Sequence, residues 1–372
     1  TPPGVFLIQY ADDISIFVKG TNKESLSAKA NAFLSSLADF LEERQLVVSP
    51  EKSTVTWFTP ATAEAHIHPD INIKGVPVKL EKNPILLGVK FDTMFCFGPH
   101  IKHTVTKAKK KLNLLKSLAG SSWGCDKETI IITYKSIVRS ILEYASPVWS
   151  PLIKDTHWTK LQSIQSQALR IASGCLSMSA IEHLHTECKI MPIQDHCKMT
   201  GKQYLAACHL QGHPGRRLLH SEPKPRLMKR TLISQHENEI SDDYNGKQHP
   251  SKEDYKLVIK SIHTRSVRDT ITKANPNKIL NCTPPPINPE EKTLSRKIRS
   301  ELSRLRSGYS RLLNSYMSRI DPEFEDKCPL CQESPHNTRH LFSCNRNPTD
   351  LEVTDLWPRP IQAAAFLNLD ES

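Results

Sequence analysis

The chain has 372 residues, which is enough for two or three domains with a sizeable buried core. Its net charge of +11 favours polyanionic partners. Ten cysteines are too few for a disulfide scaffold and indicate a reducing, intracellular compartment. No run of 18 apolar residues and no secretory signal is visible, so we expect no membrane span and no export.

The first 98 residues predict an α+β unit. Apolar runs at 5–8 and 14–18 flank a polar turn, as in a β-hairpin. Thr21 and Glu24 form a capping box for an amphipathic helix that extends to about residue 44. Short apolar runs then predict strands at 47–48, 54–58, 76–80 and 85–89.

Residues 99–210 predict a mainly helical domain. One helix covers 101–118 and stops at Gly120, and Asp126 caps a second helix whose apolar positions are 130, 134, 137 and 141. Further helices are expected at 161–171 and after Ser179.

The last two segments differ in charge and pattern. Residues 211–292 are polar and Pro-rich, which predicts a basic connector with short helices at most. Residues 293–372 begin with a predicted helix over 298–320. The arginines at 296–311 are candidates for contacts with nucleic acid, with RNA as the expected ligand, although a solvated face is the alternative. From 321 onward, ten acidic and four basic residues give a net charge of −6.

Adjacent carboxylates at the tip of the first hairpin are the densest chemical signal. Asp12 and Asp13 follow Tyr10 and Ala11 at a turn backed by apolar strands. Two carboxylates held in this way can bind divalent metal ions, as two-metal nucleotidyl transfer requires. An acidic pair is also ordinary chemistry for a solvated turn.

Several motifs together resemble the last palm motifs of a reverse transcriptase, in the order found in jockey-type non-LTR retrotransposons. They are YADD at 10–13, LVVSPEKS at 46–53 and LGVKFD at 87–92. The likeness continues through thumb-like helices at 123–124, 144–149 and 167–170. It returns at 305–309, 328–331, 340–344 and 355–357.

The resemblance implies roles for individual residues. Asp12 is the principal Mg²⁺ ligand with Asp13 beside it, and Tyr10 lies near the primer terminus. Lys52 sits near the incoming triphosphate, where an ammonium can assist the departing pyrophosphate; an ordinary exposed lysine is the alternative. Leu87 and Gly88 correspond to the primer-grip strand, with a simple strand bulge as the alternative.

The chain also departs from the family pattern. Reverse transcriptases place a third metal-binding aspartate and the fingers before this hairpin, whereas none of the eleven residues before Asp12 is acidic. We therefore expect that the chain taken alone does not extend a primer.

Cys328, Cys331, His340 and Cys344 form the second strong constellation. Their spacing lets three thiolates and one imidazole close a tetrahedral structural Zn²⁺ site. The alternatives are reduced cysteines in a small core, or His336 in place of His340. The acidic surroundings argue against this segment as the main phosphate contact.

Lysines on the first thumb-like helix are candidates for contacts with a nucleic-acid backbone, although a solvated face is the common alternative. They are Lys102, Lys107, Lys109, Lys110 and Lys111. The histidines and cysteines at 183–197 fit no tight metal knuckle and are assigned to packing.

The fold expected from the resemblance is a truncated polymerase palm (1–98), a helical thumb (99–210), a connector (211–292) and a zinc-stapled C-terminal region (293–372). The expected function is that of the C-terminal part of an RNA-directed DNA polymerase. Its expected partners are an RNA template, a DNA primer and deoxynucleoside triphosphates, in the cytoplasm as a ribonucleoprotein and in the nucleus. The alternatives are a non-catalytic nucleic-acid-binding remnant with a structural zinc module, and an interaction protein without nucleic-acid affinity.

Overall fold

The first part of the chain contains short strands and one long α-helix, and the second part contains helices. The computed structural model describes residues 2–59, 61–64, 66–120, 123–219, 231–247 and 249–369. The chain divides into two units, Thr1–Lys102 and His103–Ser372. The mixture of helices and small strands fits the predicted α+β class. Among the described helices, none has the length and apolar character needed to cross a membrane.

The predicted hairpin and the first helix are confirmed in the first unit. Strands β1 (Val5–Tyr10) and β2 (Asp13–Val18) pair antiparallel, and helix α1 (Lys23–Glu42) follows. The predicted capping box is wrong by one residue, because the side chain of Asn22 accepts the Ser25 amide at 2.8 Å. Asparagine is among the strongest N-cap residues, and it displaces Thr21 from that role.

Six two-residue strands complete the first unit. They are β3 (Thr54–Val55), β4 (Asn72–Ile73), β5 (Val76–Pro77), β6 (Lys79–Leu80), β7 (Ile85–Leu86) and β8 (Val89–Lys90). β3 pairs parallel with β6, whereas β4–β5 and β7–β8 pair antiparallel. The strand predicted at 47–48 is absent from this described part of the chain.

The strand predicted at 85–89 is in fact a hairpin. Leu86 pairs with Val89, which leaves Leu87 and Gly88 as a two-residue turn. Their φ angles are 47° and 80°, and two successive positive φ values are typical of a type I′ turn. Leu87 and Gly88 therefore form a turn and lie neither within a strand nor in a strand bulge, whereas their contact with a primer stays a prediction.

The second unit begins with helices that the sequence largely predicts. They are α2 (Gly98–Leu118, whose first residues belong to the first unit), α3 (Lys127–Tyr134), α4 (Ser140–Glu143), α5 (Ser146–Trp149), α6 (Asp155–Ser173), α7 (Ile181–Cys188) and α8 (Ile193–Cys208). Asp126 caps α3 as predicted, accepting the Thr129 amide at 2.8 Å. A π-helical turn, Lys135–Arg139, joins α3 to α4.

The connector predicted with short helices at most contains a helix of 22 residues, so that prediction is wrong. After α9 (Arg216–Leu219) come α10 (Leu232–Asp243) and α11 (Lys252–Lys273). Both pack on α8, with Ile240, Tyr244, Val258 and Ile262 in a shared apolar cluster. Residues 220–230 of the predicted connector lie outside the described residues.

The last helices form a separate apolar cluster in the second unit. They are α12 (Arg296–Ser307), α13 (Asn314–Met317), α14 (Thr338–Leu341) and α15 (Pro360–Phe366), with short 3₁₀ turns at Pro289–Thr293 and Val353–Leu356. The helix predicted over 298–320 ends at Ser307, because Gly308 takes a left-handed φ of 75° and caps it. Leu302, Leu305 and Trp357 lie at the centre of this cluster.

Candidate functional site

The two hairpin carboxylates lie where solvent can reach them. Tyr10 pairs with Asp13 across β1 and β2, so Ala11 and Asp12 form the turn. Ala11 has a φ of 53°, a left-handed conformation that costs a non-glycine residue roughly 1 kcal/mol. Both aspartates and Tyr10 are exposed. Within the described chain, no third carboxylate, histidine or cysteine joins them in a metal-sized cluster.

The other predicted residues of the first unit sit in turns. Lys52 is exposed, and its amide donates to Ser49 Oγ at 3.4 Å. The Ser53 hydroxyl donates to the Ser49 carbonyl at 2.7 Å, which fixes this loop. Leu87 and Gly88 form the β7–β8 turn described above, so they present a sharp backbone corner rather than a strand.

Helix α2 separates an apolar face from a lysine face. Ile101, Ala108, Leu112 and Leu115 are all at most 2% exposed, with helical spacing. The five predicted lysines all lie on the exposed face, and the helix contains no acidic residue. Lys107, Lys109, Lys110 and Lys111 have no carboxylate within 4.0 Å among the described residues. This face can therefore follow a phosphate backbone without first breaking ion pairs.

The structure brings the four predicted zinc ligands together. The donor atoms of Cys328, Cys331, His340 and Cys344 all lie within 4.8 Å of one another. Cys328 Sγ is 3.9 Å from Cys344 Sγ, and Cys331 Sγ is 3.3 Å from His340 Nε2. A tetrahedral zinc ion with ordinary bond lengths separates its ligands by about 3.6–3.8 Å. The donor set therefore fits a tetrahedral metal such as zinc.

Short-range hydrogen bonds hold the cluster in shape. The Cys328 amide donates to the Ser334 carbonyl at 2.8 Å, and the Gln332 amide donates to the Cys328 carbonyl at 2.9 Å. Asn337 caps α14 by accepting the His340 amide at 3.0 Å, which orients the histidine. Backbone N–H groups of the next turn lower the pKa of the Cys331 thiol to about 6, which favours the thiolate that metals bind.

His336 has a structural role instead of a ligand role. Its Nδ1 accepts the Asn314 amide at 3.2 Å, and its carbonyl accepts the Ser315 amide at 3.2 Å. His340, and not His336, is the histidine in the metal-sized group. The alternative in which His336 replaces His340 is therefore not supported.

The arginines of α12 are mostly turned into the protein, which contradicts their prediction as an RNA face. Arg296 donates to four backbone carbonyls, those of Gly120, Cys125, Ile171 and Ala172. Arg299 is 7% exposed and pairs with Glu128 at 2.7 Å. Other arginines of this helix donate to carbonyls or carboxylates in the same way. The cations are used to join α12 to the helices that precede it.

Sequence reasoning missed a buried ion cluster. The fully buried guanidinium of Arg306 pairs with Glu187, at 3.1 Å, and with Glu291. Lys127 Nζ reaches the same two carboxylates at 2.9 and 3.2 Å. Burial alone raises the pKa of Glu187, but Lys127 and Arg306 outweigh it and hold that pKa far below its usual range. The available signal was Glu187 itself, which lies three residues after the apolar Leu184 and so shares its face of the helix.

Histidines and cysteines at 183–197 pack inside the second unit, as predicted. His185 Nδ1 lies 2.7 Å from the Ile190 carbonyl, and its Nε2 lies 2.9 Å from Gln162 Nε2. The ring is therefore a neutral tautomer that donates at Nδ1 and accepts at Nε2. Burial lowers its pKa.

Comparison with known proteins gives two relatives, both from Drosophila melanogaster. The chain is 24% identical over 232 residues to a probable RNA-directed DNA polymerase from transposon BS, covering 62% of this chain. It is 22% identical over 236 residues to a probable RNA-directed DNA polymerase from transposon X-element, covering 61% of this chain. These matches cover 25% and 26% of the relatives, so the chain matches about a quarter of their length. No protein-family model and no solved structure matches the chain.

Proposed function

We propose that this chain is part of an RNA-directed DNA polymerase of a non-LTR retrotransposon of the jockey type. The observation that carries the proposal is its similarity to two transposon polymerases over about three-fifths of its length. The exposed acidic turn supports the proposal, because such a turn can present carboxylates to metal ions and phosphates. The reaction is the attack of a primer 3′-hydroxyl on the α-phosphate of a deoxynucleotide, opposite an RNA template.

In this proposal, the first unit supplies part of the catalytic centre. Asp12 and Asp13 would hold Mg²⁺, and the ion would supply positive charge to the phosphate oxygens. Tyr10 lies beside the primer end, and Lys52 offers an ammonium to the departing pyrophosphate. The Leu87–Gly88 turn brings backbone close to the nucleic acid. The chain matches about a quarter of the length of the two transposon polymerases, and in this proposal the isolated chain does not extend a primer.

A chimera tests the catalytic part of the proposal. The chain replaces the matching segment of an active transposon polymerase, and Mg²⁺-dependent primer extension on an RNA template is measured. Asp12→Asn should lower extension by about 100-fold or more, because it removes charge that faces the transition state. Asp39→Asn, which removes an exposed carboxylate from α1, is the matched control and should extend normally.

Two outcomes would contradict the proposal. An active chimera that is insensitive to Asp12→Asn would remove the aspartate from the reaction. Mg²⁺-dependent and Asp12-dependent extension by the isolated chain would instead refute the expectation that this chain alone does not extend a primer.

A second candidate function is nucleic-acid binding without catalysis. It is favoured by the lysines at 107 and 109–111 of α2, which are exposed and have no carboxylate within 4.0 Å in the described part of the chain. Replacing Lys109, Lys110 and Lys111 by Gln should weaken binding to an RNA–DNA duplex. The slope of the logarithm of the binding constant against the logarithm of the salt concentration should become less steep by up to about 0.9 per lost phosphate contact. Replacing Lys23, Lys29 and Lys82 by Gln, on the first unit, is a control with the same change of charge. If Asp12 proves dispensable while the α2 variants lose binding, the non-catalytic function is the better one.

We also propose that the Cys₃His cluster holds zinc as a structural ion. Zinc would join the loop at 328–331 to α14 and its C-terminal turn, and it would leave no open position for a catalytic water. Zinc content measured on the purified chain tests this assignment. One equivalent is expected in the wild type and none in Cys344→Ser.

A further inference from the structure

A cationic pocket on the second unit surrounds one tyrosine. Lys278 Nζ donates to Tyr309 Oη at 2.8 Å and lies 4.3 Å from the centroid of its ring. The guanidinium carbon of Arg319 lies 5.5 Å from the same centroid. Both cations are exposed, and Tyr309 is half-buried. Two positive charges therefore lie beside the ring of one tyrosine, and one of them is bonded to its hydroxyl.

Neither Lys278 nor Arg319 has a carboxylate within 4.0 Å among the described residues. Asp321 is two residues from Arg319, but one of its carboxylate oxygens accepts the Glu323 amide at 3.1 Å. Two like charges about 10 Å apart or less repel each other, and an anion between them would relieve that repulsion.

Both sides of the pocket are held by the fold. The side chain of Asn277 accepts the Ile279 amide at 2.9 Å and donates to the Arg306 carbonyl at 3.1 Å, which fixes the turn that carries Lys278. Tyr309 directly follows the left-handed Gly308 that ends α12. Its ring packs edge-to-face on the buried ring of Tyr316, with centroids 6.2 Å apart. The Tyr309 ring and the turn that carries Lys278 are therefore positioned in advance, which lowers the entropic cost of binding.

We propose that Lys278, Tyr309 and Arg319 bind a phosphodiester group of single-stranded RNA. An ammonium, a guanidinium and a phenolic hydroxyl are all donors to phosphate oxygens, and aromatic rings flanked by cations are common where proteins hold single strands. The site adjoins the metal cluster, because Arg339, the neighbour of the ligand His340, donates to the carbonyl of Ile279, the neighbour of Lys278, at 2.6 Å. The proposal deepens the proposed function by assigning a contact for its RNA strand.

The electrostatics of Tyr309 agree with this geometry. The hydrogen bond from Lys278, together with Arg319, lowers the pKa of the phenol, so the pocket already stabilises a negative charge. A bound phosphate would offset both cations and raise that pKa again. The difference in phenolate absorbance between wild type and Tyr309→Phe, followed against pH with and without inorganic phosphate, would show this rise.

The direct test is RNA binding by the full chain. A labelled single-stranded RNA of twelve nucleotides is titrated at several salt concentrations with wild type, Lys278→Gln, Arg319→Gln and the double variant. The double variant should bind about tenfold more weakly, as expected for lost charged hydrogen bonds. Its salt dependence should fall by about 0.7 in log–log slope for the loss of one phosphate contact. Tyr309→Phe should lose less affinity and keep the slope.

Matched controls make the result decisive. Lys292→Gln removes one exposed cation from the same unit and should bind like wild type. An oligonucleotide with an uncharged backbone should bind equally weakly to wild type and to the double variant. Thermal melts and zinc content confirm that each variant is folded.

Three results would overturn the proposal. The first is a loss of RNA affinity below twofold in the double variant, with an unchanged slope of the salt dependence. The second is an equal loss of RNA affinity in Lys292→Gln. The third is displacement of the RNA by polyglutamate as effectively as by unlabelled RNA. None of these measurements uses Asp12, Mg²⁺ or deoxynucleotides, so their failure leaves the polymerase proposal standing. Failure of the chimera likewise leaves this site untouched.

Discussion

Replacing Arg306 by methionine should destabilise the second unit strongly. The guanidinium is fully buried, and its Nε and Nη2 donate to the Leu356 carbonyl at 2.9 and 2.6 Å. It also pairs with Glu187 and Glu291, whose side chains are only 1–2% exposed. Removing one partner of a buried ion pair costs about 3–5 kcal/mol, because a desolvated charge remains. Lys127 still contacts both carboxylates, which places the expected loss near about 3 kcal/mol.

Urea unfolding of the whole chain measures this loss. Tryptophan fluorescence is a suitable probe, because Trp357 is 2% exposed and its ring lies 5.9 Å from the Arg306 guanidinium. With an m-value of about 2 kcal/mol/M, the midpoint should fall by roughly 1.5 M. Arg359→Met is the control, since Arg359 is half exposed and lies 3.8 Å from its partner, and it should change stability by less than about 0.5 kcal/mol.

A double-mutant cycle separates the ion pair from general packing. Arg306→Met combined with Glu291→Gln should destabilise less than the sum of the single changes, because the second substitution removes a stranded charge. Additive effects, or a loss below about 1 kcal/mol for Arg306→Met, would refute the reasoning that the cluster is held by mutual charge compensation.

Three further predictions concern other parts of the second unit. Chelation should remove one metal ion per chain and lower the melting temperature, and Cys344→Ser should have the same two effects. An unchanged metal content in Cys344→Ser would show that the metal ion does not bind at the Cys₃His cluster. Burial holds the pKa of His185 in the folded protein below its value in the unfolded chain. The neutral ring should therefore contribute less to stability as the pH falls below about 6.5, because the unfolded chain takes up the proton first. The difference in unfolding free energy between wild type and His185→Gln should shrink in that pH range. A difference that grows instead contradicts the buried neutral ring. Gly174→Ala should lower the free energy of unfolding by about 2–4 kcal/mol, because Gly174 has a φ of 73° and an added Cβ would lie 2.5 Å from the Cβ of Ser300. Gly246→Ala, where the added Cβ meets open space, should lower it by only about 1–2 kcal/mol. Equal losses in denaturant unfolding would show that the contact with Ser300 does not contribute.

Features that depend on neighbours in sequence could be predicted. The β1–β2 hairpin follows from two apolar runs around a polar turn, and the cap of α3 follows from Asp126 before a helical pattern. The grouping of the four metal-ligand side chains follows from their spacing, because a Cys-x₂-Cys turn and a four-residue separation across the end of α14 each bring two donors to one side.

Features that depend on partners distant in sequence could not be predicted from the sequence. The arginines of α12 look like a solvated basic face until Glu187 and Glu291, which come from other elements, are placed against them. Nothing local to Arg306 signals that its charge is neutralised inside the protein.

The π-helical turn shows a subtler limit. The sequence predicts Ile137 and Ile141 on the apolar face of the second helix of the second unit. The extra residue in the turn at Lys135–Arg139 shifts burial to Val138 and Leu142 instead. Either pair is apolar, so the sequence pattern does not distinguish them.

Arg296 has a consequence for how the chain can be divided. Its guanidinium reaches four main-chain carbonyls at the ends of α2 and α6 and before α3. A protein cut in front of α12 would leave these oxygens without their donor and Glu187 without Arg306, so the metal-bearing tail is not an appendage that can be clipped off cleanly. Any expression boundary that preserves the helical body should lie beyond Ser307.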